Sequence, residues 1–189
     1  MPEKNLSGIK VAVLTTDGVE QVELLEPKKA LEDAGASVLV ISPNGGRVQG
    51  FKHHDKADQV PVDLELKGAD PENFDAVLLP GGVLNADALR IERKAQEFVR
   101  KVDQQGKPIA VICHGSWLLV SSGLLKGRKL TSWPTLQDDI RNAGGQWENL
   151  EVLRDKNWVS SRKPDDIPAF NREMIRLFAE AKQKNKRVA

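Results

Sequence analysis

The 189-residue sequence predicts a single three-layer α/β domain built around a mostly parallel sheet, with its core between about residues 9 and 180. Three observations carry this. Short apolar runs (Ile9–Thr15, Ser37–Ser42, Asp75–Pro80, Ile109–Ile112) have the length and composition of strands covered on both faces. Segments with helical periodicity lie between them. Turn residues close most of these units, and no repeat or low-complexity linker interrupts them.

Ile9–Thr15 is the first expected strand, and Thr16–Val19 a turn. A helix is expected to follow as far as Ala34, with Val22, Leu25, Ala30, Leu31 and Ala34 toward the core and Gly35 as its stop. Pro27 lies inside it and is expected to kink or restart it. Ser37–Ser42 returns as a second parallel strand. Residues 47–66 lack a helical period and read as an antiparallel excursion that carries His53 and His54 toward solvent, with Pro61 limiting any strand there to an edge. Asp70–Phe74 is a loop or helical turn, and Asp75–Pro80 a central strand ending in Gly81-Gly82. Between Glu92 and Gln105, Ala95, Phe98, Val99 and Val102 mark an amphipathic helix. After the Ile109 strand come a short helix, a short strand near Lys129, a helix over Pro134–Asn142, and a hairpin turning at Asp155-Lys-Asn157. The last helix starts near Asp165, with Ile167, Phe170, Met174, Leu177, Phe178 and Ala181 in one stripe. Its basic end, Lys182–Arg187, is expected to be a solvated helix terminus. Trp117, Trp133, Trp147 and Trp158 are expected to fill core or interface.

Composition removes several function classes. A net charge of +1 offers nothing to nucleic acid or an anionic membrane. No apolar run approaches the ~20 residues of a membrane span. The first five residues hold no apolar signal core, and a single cysteine cannot form an internal disulfide, so a cytoplasmic protein is expected. No phosphate-cradling glycine motif is present, and neither cofactor nor metal is expected.

The chemistry gathers at Cys113-His114-Gly115. This triplet separates an apolar strand from a helix, so Cys113 sits on an elbow that lifts its side chain at the carboxyl edge of the sheet. There a helix N-terminus favours an anion, and the thiol pKa is expected below the free value of ~8.5. A lone cysteine is more often a small buried hydrophobe; the adjacent histidine and glycine favour the catalytic reading. Ligands of such sheets bind outside the carboxyl ends of the strands, where Asp17–Glu20 and Gly81-Gly82 also fall.

These motifs, with Leu-Pro80-Gly-Gly82, the Glu20-Gln-Val-Glu-Leu segment and Asn157-Trp-Val-Ser-Ser-Arg162, resemble the PfpI branch of the ThiJ/PfpI superfamily, over Ile9 to about Phe178. The resemblance implies a flavodoxin-like sandwich of the class I glutamine amidotransferase type. It makes Cys113 the nucleophile, His114 its neighbouring histidine, Glu20 the buried glutamate that meets the sulfur, and Gly82 with the His114 amide an oxyanion hole. It also implies a homodimer or larger homo-oligomer in which Asp87, before Ala-Leu-Arg90, orients His114 of a neighbouring subunit. Related amidotransferases use a histidine far downstream of the cysteine; none follows His114 here, which argues against glutaminase chemistry.

The implied activity is a cysteine-dependent stress-response enzyme: a peptidase-like hydrolase, or a glyoxalase or deglycase acting on methylglyoxal and its adducts. The alternative is a redox or stress sensor working through oxidation of an accessible Cys113.

Overall fold

The computed structural model describes residues 5–188, and side chains to residue 183. In chain order the elements are β1 (Lys10–Leu14), β2 (Val19–Glu20), α1 (Gln21–Asp33), β3 (Ser37–Ser42), β4 (Arg47–Lys52), β5 (Asp55–Pro61), β6 (Leu64–Glu65), β7 (Ala76–Leu79), α2 (Val83–Arg90), α3 (Arg93–Gln104), β8 (Ile109–Ile112), α4 (Ser116–Ser121), β9 (Lys129–Leu130), α5 (Gln137–Asn142), β10 (Gln146–Trp147), β11 (Val152–Asp155), β12 (Trp158–Ser161) and α6 (Ile167–Val188).

Seven strands form the main sheet in the order β11-β12-β8-β7-β1-β3-β6, all parallel except the edge strand β11. Strand alternation sends Val11 and Val13 of β1 to one face, and Ala12 and Leu14 to the other. The first face packs on α1 through Leu24 and Leu31, and on α6 through Phe170, Met174, Leu177 and Phe178. The second packs on α3 through Phe98, Val99 and Val102, and on Leu118, Leu119 and Ile140. This is the expected three-layer sandwich. From β1 the chain moves to β3 on one side, then returns to β7 on the other, so the switch point lies between the carboxyl ends of β1 and β7.

The 47–66 excursion is the antiparallel β4–β5 hairpin, and His53 and His54 are exposed at its turn. Two helical expectations change. Residues 83–90 form α2, a helix that period alone did not reveal because Val83 and Leu84 face outward, as does Ile91 just past its end, while Ala86 and Leu89 with the polar Asn85 make up its buried side. In α1 the buried stripe is Glu23, Leu24, Pro27 and Leu31, while Leu25 is exposed. The helix runs through Pro27 as one element rather than restarting. At the C-terminus Lys182 donates to the carbonyls of Asn5 and Ser7, so this lysine is tied down; the basic side chains from 184 onward lie outside the described residues.

Candidate active site

Strand β8 is buried at every residue and delivers Cys113 to the carboxyl edge. Cys113 adopts φ 60, a left-handed conformation that a side-chain-bearing residue rarely takes, and the chain turns there into a single 3₁₀ turn before α4. The predicted elbow is therefore present, with strain at its apex. Its packing departs from expectation, because Cys113 is only 6% exposed and His114 7%.

The carboxyl group facing the sulfur belongs to Glu23, and this corrects the assignment of Glu20. The reason is helical geometry. Positions 23, 24, 27 and 31 share the core face of α1, whereas Glu20 precedes the helix in β2. Glu20 is half-buried, and its Oε2 accepts from the His53 backbone N–H at 3.0 Å. Glu23 is fully buried; its Oε2 accepts from the Gly81 N–H at 2.9 Å, and its Oε1 has no hydrogen-bond partner among the described residues. No cation pairs with it there, so burial pushes its pKa to about 8, with the nearby Glu20 charge adding to the rise against hydrogen bonds that lower it. At neutral pH Glu23 keeps its proton.

Burial also raises the Cys113 pKa, and ionised Glu23 raises it further; the His114 and Gly82 amides oppose both by favouring the thiolate. The expected depressed thiol is thus reversed, because enclosure outweighs the helix terminus at this elbow. The Coulomb push from Glu23 is absent while that carboxyl holds its proton.

His114 Nδ1 lies 3.2 Å from Cys113 Sγ. Burial lowers the imidazole pKa to about 4, so His114 is neutral over the physiological range. Trp133 stacks on its ring at 5.9 Å and Trp117 meets it edge-on at 5.3 Å. These two tryptophans, expected only as fillers, form walls around the histidine. Trp158 is core, and Trp147 hydrogen-bonds Ser132.

The Gly81-Gly82 turn closes over the elbow. A Cβ on Gly81 would come within 2.3 Å of Glu23 Oε2 and 2.7 Å of Cys113 Cβ, so contact with the site requires glycine there. Gly82 has φ 91, and a Cβ on it would meet the Gly18 carbonyl at 2.3 Å. Asp87 lies within α2 on its exposed face, beside Val83, Leu84 and Ile91.

Glu23, Cys113, His114 and the Gly81-Gly82 turn therefore meet at one point; Glu20 lies close enough to act on Glu23 as a charge, and Asp87 is exposed on α2. Among the described residues no group of three or more His, Cys, Asp or Glu side chains could hold a metal ion, and no helix is long and apolar enough to cross a membrane.

Deglycase TK1284 of Thermococcus kodakarensis is 44% identical over 170 residues, covering 90% of this chain and 99% of its own. YraA of Bacillus subtilis, whose name points to a cysteine protease, is 40% identical over 169 residues, covering 89% and 98%. The crystal structure of Drosophila melanogaster DJ-1beta superposes with a TM-score of 0.83 at 26% identity, over 95% of each chain. With the DJ-1/PfpI family model matching residues 9–177, around a cysteine elbow that faces a buried glutamate, the chain belongs to the DJ-1/PfpI family.

Proposed function

We propose that this chain is a cysteine-dependent enzyme of the glyoxalase and deglycase kind, acting on methylglyoxal and its adducts with Cys113 as nucleophile. The observation that carries the proposal is the fully buried carboxyl of Glu23 held against the one thiol of the chain, where burial pushes its pKa up to about 8. Such a group gives a proton and takes one back near neutral pH.

The thiol proton passes to neutral His114 Nδ1, 3.2 Å away, only as the C–S bond forms, because an imidazole with a pKa of about 4 does not hold it against a free thiolate. Sulfur adds to the aldehyde carbon, and the carbonyl π pair moves onto oxygen. The Gly82 and His114 amides stabilise that oxyanion, and Glu23 protonates it to give a hemithioacetal. The Glu23 carboxylate then removes the proton from the carbon bearing sulfur and returns it to the adjacent carbon, while the hydroxyl proton on the sulfur-bearing carbon passes to the former ketone oxygen, leaving a lactoyl thioester. Water cleaves the C–S bond, releasing lactate and the thiol. An amine adduct enters at the first step, with the amine as leaving group. The near-complete enclosure of Cys113 and His114 favours a small carbonyl compound over a polypeptide substrate.

Asp87 completes the site in an oligomer. Val83 and Leu84 of α2 are 50% and 58% exposed, and Ile91, just past the helix that carries Asp87, is 75% exposed. A second copy covering this face buries the apolar residues and brings Asp87 to the partner's imidazole. The working compartment under this reading is the cytoplasm.

The test is steady-state conversion of methylglyoxal to lactate by the wild type and by Cys113→Ala. Cys113→Ala should reduce turnover by about 10³-fold or more, the scale of losing a nucleophile. Turnover by Cys113→Ala at the wild-type rate overturns the proposal. Asp87→Asn should lower turnover by about 10-fold without dissociating the oligomer; a fully active monomer in sedimentation removes Asp87 from the site. Protonated Glu23 is also placed to hydrogen-bond an oxidised sulfur. If the wild type turns over neither methylglyoxal nor an unfolded protein, yet Cys113 oxidises rapidly at low peroxide, the sensor reading replaces the enzyme.

A further inference from the structure

Asn85 is a fully buried amide in the first turn of α2, at 0% exposure. All of its hydrogen-bonding positions are used. Oδ1 accepts from Thr15 Oγ1 at 3.1 Å and from the Thr16 N–H at 2.7 Å, both at the carboxyl end of β1. Nδ2 donates to the carbonyls of Pro80 at 3.2 Å and Gly81 at 2.9 Å, both at the carboxyl end of β7. One side chain therefore bridges the two strand ends that flank the switch point, where the layout of the fold opens a crevice.

We propose that Asn85 is the positioning residue of this active site: it sets the Gly81-Gly82 turn so that the Gly82 amide points at the Cys113 sulfur and the Gly81 amide at Glu23. The proposal rests on the cysteine chemistry described above for its relevance to turnover, and on geometry for everything else.

The physical case concerns how the turn is held. Each glycine lacks a side chain to fix it, and Gly82 is in a conformation open to many alternatives. The Gly81 peptide is constrained on both sides. Its N–H is taken by Glu23, and its carbonyl receives the Glu20 N–H at 3.3 Å and the Asn85 amide at 2.9 Å. The Gly81 carbonyl shares its peptide plane with the Gly82 N–H, so rotating that plane would break both bonds to the carbonyl and re-aim the Gly82 N–H. A carboxylate at position 85 could not donate to the two carbonyls, and a hydroxyl is too short to span both strand ends. An amide supplies two donors and two acceptor positions without adding a charge near the thiol. The ionisable groups around the sulfur remain Glu23, from α1, and His114, on the elbow, with Glu20 acting on Glu23.

The experiment reads the thiol directly. The pH dependence of Cys113 alkylation by iodoacetamide is measured for the wild type, Asn85→Ala, Thr15→Val and Gln96→Ala. Asn85→Ala should raise the alkylation midpoint by about 0.5–1 pH unit, because a misaimed Gly82 amide no longer favours the thiolate. Thr15→Val removes only one bond to Asn85 and should shift the midpoint the same way by less. Gln96→Ala removes the bond from Gln96 Nε2 to the Arg90 carbonyl at the far end of α2, and so loosens the helix without touching the turn. It should lower thermal stability and leave the midpoint unchanged. With methylglyoxal, Asn85→Ala should lose about 10-fold in kcat with KM nearly constant, as expected for groups that act on the developing charge. A folded Asn85→Ala with the wild-type midpoint overturns the proposal. If Asn85→Ala does not fold, an unshifted Thr15→Val does so instead, and a shift in Gln96→Ala equal to that in the others reduces Asn85 to a purely structural role. Absence of methylglyoxal turnover in the wild type refutes the assigned reaction and leaves the alkylation result standing.

Discussion

Two polar clusters, one partly and one fully enclosed, lie at opposite ends of the sheet, and they surround their carboxyl groups in opposite ways. At the amino end, Asp103 Oδ1 accepts from Arg128 at 2.7 Å, from the Asn157 amide at 3.0 Å and from the Trp158 indole at 2.8 Å. Arg128 also lies 4.1 Å over the Trp158 ring. That carboxylate is paired and surrounded by donors. At the carboxyl end, Glu23 meets one backbone N–H, a thiol and the field of a second carboxylate. A buried carboxylate needs a counter-charge or enough donors; without them it holds its proton. The paired cluster ties α3 to the β11–β12 hairpin, and the unpaired one is left able to exchange a proton.

The largest expected effect breaks this contrast from both ends. Asp103→Ala should cost about 3 kcal/mol in denaturant unfolding, because Arg128 and the Trp158 N–H lose their acceptor, and should leave Cys113 alkylation unchanged. Glu23→Gln should do the reverse. Stability should hold or rise, turnover should fall by about 10-fold or more with the proton-carrying group gone, and the alkylation midpoint should fall because no charge at position 23 opposes the thiolate. Equal stability losses in the two variants would dissolve the distinction.

A smaller effect is the pH dependence of stability. Glu23 titrates at about 8 in the folded chain against 4.5 for the free group, so between those values the unfolded chain has lost a proton that the folded chain keeps. Stability from this group therefore falls as pH rises from 4.5 to about 8. His114, held neutral down to about 4 against 6.5, gives a loss in the other direction as pH falls from 6.5 to about 4. Thermal melts across pH should lose their fall between 6.5 and about 8 in Glu23→Gln, where Glu23 titrates without His114, and His114→Gln should uncover the fall due to Glu23 between 4.5 and 6.5, where the two groups otherwise offset each other. An unchanged alkaline slope in Glu23→Gln would mean that Glu23 is ionised in the native state.

The smallest effect sharpens the roles of the two glutamates. Glu20 raises the Glu23 pKa only as a neighbouring charge. Glu20→Gln should move the alkaline limb of the stability curve down by a few tenths of a pH unit and change stability at neutral pH by less than about 0.5 kcal/mol. A loss of turnover as large as that of Glu23→Gln would restore Glu20 to the centre of the chemistry.

The sequence by itself determined the parallel strands, the layer order and the elbow, because strands buried on both faces are written as uninterrupted apolar runs and their ends as turn residues. Cys113, His114 and the Gly81-Gly82 turn were legible for the same reason, since each sits where such a run stops. What the tertiary structure decided was which polar side chains face inward. Glu20 and Glu23 lie in one short acidic and apolar stretch, and where α1 begins decides which of them meets the sulfur: Glu23 falls on its buried face, and Glu20 lies before it in β2. Burial then reversed the direction expected for the thiol. Asn85 left no signal, because a buried amide is identified only by the strand ends it joins, and those lie 69 and 70 residues away on one side and 4 and 5 on the other. Local pattern reports where the chain turns and what it buries in bulk; the protonation and aim of single polar groups depend on neighbours that only the folded chain brings together.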